Sequence, residues 1–256
     1  LKEGAIKVHD DRSNLFFEQP IIHGDVKKGF SESEVVIEKT YTTQSVEHGY
    51  LENDAGVAYV DENGKLIVMS ASQNIHAHRK TIAEAVGLGL DRVRVIQTPT
   101  GGAFGGKLDV SVGGILSVAA LKLKSPVKLV YTRSETFAAT PKRHPFLMKV
   151  KIGAKKDGTL TALDFDVTAD GGAYKSFSNS VTQRGVIHAQ GPYRFPNAHV
   201  YGKAVYTNTA FKGAMRGFGV PQVAFAIESI LDELASQLKM DPLALRMKNG
   251  FVKGDT

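Results

Sequence analysis

The chain has 256 residues, 42% of them hydrophobic and 23% charged, with a formal net charge of +6 and no cysteine. That length carries one large domain or two smaller ones with real cores. The missing thiols exclude disulfides, a Cys nucleophile, Cys-ligated zinc and any iron–sulfur cluster held within this chain. The basic residues are dispersed rather than gathered on one stretch, which argues against nucleic acid. No run reaches the roughly 18 apolar residues of a membrane span, the start shows no apolar h-region, and the lack of cysteine makes the cytoplasm the default expectation. The first residue is not Met and the last few show no stop structure, so the chain reads as a piece of a longer protein.

In chain order, residues 1–33 read as an irregular linker whose only apolar anchor is Phe16-Phe17. Glu34–Tyr41 reads as a strand. Val57–Val60 and Lys65–Met69 flank Asp61-Glu62-Asn63-Gly64, which predicts a hairpin. Asn74–Val86 predicts a helix ending near Gly87 and Gly89, and Val93–Thr98 a strand. The helical spacing of Val112, Ile115, Leu116, Ala119 and Leu123 places a buried helix over 111–124. Val127–Tyr131 reads as a strand, Leu147–Gly153 and Leu160–Thr168 as a hairpin around Asp157-Gly158, and His199–Thr207 as a further strand. Pro221 starts a long amphipathic helix marked by Val223, Ile227, Ile230, Leu234 and Leu238. Asp241-Pro242 caps a last short helix ended by Gly250. Hairpins mixed with helices predict an α+β fold of mixed, largely antiparallel sheets with packed helices, in two lobes. The strand-rich lobe falls over about 142–208.

Two glycine-rich loops stand out. Gly101-Gly102-Ala103-Phe104-Gly105-Gly106-Lys107 lies between a strand and a helix, and its glycines let backbone amides crowd a bulky or anionic ligand where a Cβ would block approach. It fits seven positions of the phosphate-loop pattern G-x-x-x-x-G-K-[ST], but Leu108 stands where the metal-holding hydroxyl should be. The second loop, Gly213 to Gln222, reads G-A-M-R-G-F-G-V-P-Q and also precedes a helix.

Taken together, GGAFGGK and A-x-R-G-F-G-x-P-Q resemble the molybdenum-binding subunit of the xanthine dehydrogenase and aldehyde oxidoreductase family, over nearly the whole chain from Phe16 to Asn249. The resemblance makes 34–256 the first half of that family's cofactor-binding region. It implies molybdopterin, or its cytosine dinucleotide form, as cofactor. By it, Gly102, Phe104 and Gly105 pass beside the molybdenum. Gln73, 31 residues before Phe104, hydrogen-bonds near the apical oxo group, and Arg216 sits by the metal–dithiolene group. Gln73, Phe104 and Arg216 thus form the molybdenum environment through the cofactor, with no protein atom as ligand. Phe218 lines the substrate pocket. Arg184, 32 residues before Arg216, polarises substrate, and Leu108 replaces the Glu of purine enzymes, which weakens a purine reading.

The implied reaction is hydroxylation of an aldehyde or N-heterocycle with oxygen from water. No catalytic residue falls in this chain, because the family's Glu base lies beyond residue 256. The implied partners are the second half of the molybdenum subunit, an iron–sulfur subunit and, in some members, a flavin (FAD) subunit. A homo-oligomer is compatible with the pattern.

Blander readings exist for the remaining groups. His76 and His78 are two apart, which does not suit a helical metal pair. Asp164 and Asp166 share a strand face that reads as solvated, and Glu47–Glu52 reads as structural support. Against the resemblance stand a nucleotide-binding domain built on Gly101–Lys107 and a scaffold half that binds nothing alone.

Overall fold

The computed structural model describes residues 4–255 and divides into two compact units. The first takes the residues up to Ser45, His144–Lys212 and those from Gly217 onward; the second takes Val46–Arg143 and Gly213–Arg216. The architecture is α+β.

The first unit is built on a five-stranded sheet, β1 (Leu15–His23), β2 (Val35–Thr42), β7 (Phe146–Ala154), β8 (Leu160–Gly172) and β9 (Ala198–Tyr206), in the order β1-β9-β8-β7-β2. Alternation along β7 and β8 decides its faces. Phe146, Met148, Val150, Leu163, Phe165 and Val167 point to one side and are buried. Lys149, Lys151, Asp164 and Asp166 point to the other. The buried side meets α6 (Val220–Leu238) through Val223, Ile227, Ile230 and Leu234, a stripe at helical spacing. Helix α5 (Ser178–Ile187) connects β8 to β9, which pair in parallel, and α7 (Pro242–Asn249) follows with Asp241 as its N-cap.

Residues 15–31, within the stretch expected to be an irregular linker, are ordered: they hold β1, paired along its length with β9, and α1 (Val26–Ser31), capped by the Asp25 carboxylate. The strand escapes a periodicity search because its apolar residues come in pairs around Glu18 and Pro20. Pro20 is tolerated because β1 is an edge strand with a partner on one side only. Nor does the strand-rich region of 142–208 stand alone as a lobe: β7, β8 and β9 share one sheet with β1 and β2.

The second unit has a four-stranded sheet, β5-β4-β3-β6, made of β3 (Ala55–Val60), β4 (Leu66–Ser70), β5 (Val93–Gln97) and β6 (Val127–Val130). Helices α2 (Ile75–Val86) and α3 (Val112–Leu123) cover it, and Ala58, Leu66, Val68, Ile82, Val93, Val112, Leu116 and Ala120 form the core. The caps explain the boundaries of α2: the Asn74 side chain accepts from the Ala77 amide, and Gly87 takes the left-handed conformation. Strands β4 and β5 are parallel, joined by α2, so the turn before this helix sits at the C-terminal end of β4. Helix α4 (Arg133–Ala139) opens with a capping box between Thr132 and Glu135.

Candidate functional site

The first glycine loop runs from the end of β5 to α3. Three of its residues have positive φ: Gly102, Phe104 and Gly105, at 97°, 51° and 108°. Phe104 is the costly one, since a Cβ disfavours this conformation, and its ring is 49% exposed. The loop is held from inside by Gln73, in the turn between β4 and α2. The Gln73 side-chain oxygen accepts from the amides of Gly105 (3.0 Å) and Lys107 (3.3 Å), and the Gln73 amide donates to the Lys107 carbonyl (2.9 Å). Those bonds identify which end of the carboxamide faces the loop. The Gln73 NH₂ is left with no protein acceptor among the described residues, on an exposed side chain.

Lys107 does not behave as a phosphate-loop lysine. It is 2% exposed, its ammonium lies 2.6 Å from Glu52 Oε2 and 3.1 Å from the Glu52 carbonyl, and it sits over the Tyr50 ring. Burial would raise the Glu52 carboxyl, but the bonds from Lys107 and the Gly101 amide outweigh it and hold the group below its ordinary value of 4.5. A lysine so committed cannot reach a nucleotide. Leu108 adds no hydroxyl; its carbonyl instead lies 3.0 Å from His78 Nε2. The nucleotide-binding alternative is therefore set aside.

The second loop locks onto the first within the same unit. The Arg216 amide donates to the Phe104 carbonyl at 2.8 Å. A Cβ on Gly105 would stand 2.6 Å from the Ala214 carbonyl oxygen, so only glycine lets the two backbones come this close. His48 Nε2–H donates to that same carbonyl at 2.7 Å, and the Arg143 guanidinium donates to the Arg216 carbonyl at 2.8 Å. The Arg216 side chain itself is exposed and has no protein partner among the described residues. Gln73, Phe104, Gly105 and Arg216 are thus brought together. Gly102 packs behind them, where a Cβ would stand 3.1 Å from that of Tyr50.

The segment Glu47–Glu52, expected to give structural support, does so: His48 reaches the second loop, and Glu52 holds the first. Its signal in the sequence is a dense run of charged and aromatic residues with no helical or strand period.

In the first unit, the second loop continues through Gly217, Phe218 and Gly219, all at positive φ. Gly219 nests on α5, where a Cβ would meet the Val181 carbonyl at 2.3 Å. Phe218 lies edge-on to Phe177, the N-cap of α5, with centroids 6.3 Å apart. Arg184 stands on the same helix, exposed, its guanidinium without a protein partner among the described residues. Phe177 was missed in the sequence, where nothing sets it apart from other aromatic residues.

Other candidates are accounted for. His78 is buried against the Leu108 carbonyl, and burial holds it below its ordinary value of 6.5. Asp164 and Asp166 pair across the sheet with His199 and Lys203, each at 2.9 Å. Among the described residues no cluster of His, Asp or Glu is placed to hold a metal ion, and no helix is long and apolar enough to cross a membrane. What the loops offer is hydrogen-bond donors and a cation. That set fits an anionic group bringing its own metal ligands.

The comparisons with known proteins show the family. Residues 8–250 match the family described as the molybdopterin cofactor-binding domain, and the chain belongs to it. It is 41% identical over 254 residues to the nicotinate dehydrogenase large molybdopterin subunit of Eubacterium barkeri, covering 99% of this chain and 60% of that one. It is 39% identical over 255 residues to the aldehyde oxidoreductase of Megalodesulfovibrio gigas, covering 99% of this chain and 28% of that protein. The solved aldehyde oxidoreductase from Desulfovibrio gigas superposes with a TM-score of 0.94 over the whole of this chain and 28% of its own. The chain therefore spans less than two thirds of these relatives.

Proposed function

We propose that this chain forms the first half of the cofactor-binding region of a molybdenum hydroxylase that oxidises an aldehyde or N-heterocycle. The observation that supports it most is the locked loop pair: the Gln73 oxygen is consumed by amides of the first loop, which frees its NH₂ as a donor, and Arg216, whose amide bonds the same loop at Phe104, has no side-chain partner among the described residues. On this reading Gln73 donates toward the metal's oxo side, Gly102, Phe104 and Gly105 form the wall against which the cofactor lies, and Arg216 balances its negative charge. When bound, the molybdenum centre supplies a two-electron acceptor for the conversion of C–H and water to C–OH, with two protons released. Arg184 stabilises negative charge developing on the substrate, and Phe218, backed by Phe177, gives a flat apolar surface. Leu108 offers no side-chain acceptor, which disfavours a purine. The chemistry further requires a base outside this chain, iron–sulfur clusters on another module and, in some arrangements, a flavin. The rest of the molybdenum subunit and an iron–sulfur subunit are the expected partners, in the cytoplasm.

The test is made on the full-length protein purified with its partners. Stoichiometric molybdenum is expected, with faster turnover of aromatic aldehydes or simple N-heterocycles than of xanthine. R216A should lower molybdenum content or reduce turnover by about 100-fold, the scale for removing a preorganised charged donor. Full molybdenum and unchanged turnover in R216A would remove Arg216 from the site, and a preference for xanthine would overturn the argument from Leu108.

A further inference from the structure

His48 lies between the two glycine loops. Its side chain is fully buried, and Nε2–H donates to the Ala214 carbonyl two residues before Arg216. On its other side the ring meets the first loop at Gly106, where a Cβ would come 3.0 Å from Nδ1. Gly106 directly follows Gly105, whose amide Gln73 holds. One imidazole thus touches both loops within two residues of their proposed cofactor-facing groups.

Its protonation state follows from its surroundings. A carbonyl at Nε2 requires a hydrogen there, and Nδ1 has no hydrogen-bond partner among the described residues, an arrangement that suits the neutral Nε2–H tautomer. The groups facing it are mixed in sign. Glu47 Oε1 stands 4.0 Å from Nδ1, but the other Glu47 oxygen is paired with Lys142 at 2.7 Å. Arg143 adds a further positive charge nearby, and the Tyr50 ring lies 6.1 Å away. Burial, with Lys142 and Arg143, disfavours a second proton more than the Ala214 carbonyl and Glu47 favour it.

We infer that His48 is a positioning residue: its Nε2–H fixes the register of the second loop on the first and so aims Arg216 at the anionic ligand. The direction in which Arg216 is aimed rests on the proposed function; the loop register does not. Gln can place an amide donor near the position of Nε2, whereas Asn places one only near Nδ1, too short to reach Ala214. The two variants therefore separate the donor from mere polarity or burial.

In the full-length protein, hydrogen exchange of the Arg216 amide and molybdenum content are measured for wild type, H48Q and H48N at pH 8 and pH 5.5. We expect H48N to raise exchange at Arg216 about tenfold and to lose most of its molybdenum, and H48Q to restore both. Wild type should lose molybdenum faster as the pH falls below the ordinary histidine value of 6.5, and H48Q less steeply, since only His78 then remains to resist protons. Wild-type exchange and metal content in H48N would overturn the inference. If H48N does not fold, H48Q decides alone: wild-type protection with a weaker pH response than wild type supports the role, and raised exchange at Arg216 overturns it. A wild-type protein without molybdenum would sink the proposed function, yet the exchange comparison would still decide what His48 does.

Discussion

Gln73 is where backbone geometry and proposed chemistry can be separated by one substitution. Its oxygen holds the first glycine loop and its NH₂ is the proposed donor. Glu in its place keeps an acceptor for the amides of Gly105 and Lys107 but cannot donate when ionised. Q73E should therefore melt within about 1 kcal/mol of wild type, while turnover of the full enzyme falls by about 100-fold; equal turnover would remove the donor role. Two buried histidines add a pH dependence. His48 and His78 are both held below 6.5 chiefly by burial. Above 6.5 both are neutral folded or unfolded, and stability is intact. Below it the unfolded chain takes up protons that the native rings resist, so stability falls as the pH drops. Thermal melting between pH 8 and pH 5 checks this, and a melting point that rises toward acid would contradict it. Gln73, Phe104 and Arg216 were singled out by the family resemblance that the two glycine loops carry, and the structure brings them together. The use of each end of the Gln73 amide was not legible in the sequence, since it depends on which loop amides come within reach.

At the scale of elements, legibility followed the local signals. Asn74 and Gly87 bracket α2, and Pro221 and a clean apolar stripe announce α6. Helix α5 gives no such signal: Ser, Asn, Thr and Gly dilute it, and it forms because its Val181 and Val186 pack into the sheet. Helix α4 did carry a signature, the spacing of Thr132 and Glu135, which went unread. Pairing of β8 with β9 and of β4 with β5 in parallel was also beyond the pattern, because alternation identifies strands but not their partners. The seating of α5 is testable. A Cβ on Gly202 of β9 would stand 2.1 Å from a Val186 methyl group, so G202A must push the helix that carries Arg184 away from the sheet. We expect a loss of about 2 kcal/mol by denaturant unfolding, in the range of core overpacking, and a rise in KM from the displaced Arg184. A G202A protein with wild-type stability and KM would mean that α5 tolerates a looser seat than this contact implies.

For the molecule as a whole, the question is how much of a cofactor site this stretch can support unaided. The chain spans 60% of one relative and 28% of another. The groups proposed to meet the cofactor are few: the Gln73 NH₂, the Arg216 guanidinium and the glycine-rich wall at Gly102, Phe104 and Gly105. Neutral hydrogen bonds are worth about 1 kcal/mol net, and charged ones up to about 3. Immobilising a large cofactor costs at least about 4 kcal/mol and up to about 15. The balance is unfavourable, and no His, Asp or Glu cluster among the described residues adds a direct metal bond. The 256 residues expressed alone should therefore carry no stoichiometric molybdenum, although both cores can form, since each sheet is covered by helices within its own unit. Metal analysis beside a circular dichroism spectrum makes the check. A folded chain with one molybdenum per molecule would show that these loops anchor the cofactor by themselves and that the weak-anchor account of Gln73 and Arg216 is wrong. A folded chain without the metal, regaining it when co-expressed with the remainder of the protein, would place the main anchors outside these residues and leave Gln73 and Arg216 the task of aiming the cofactor.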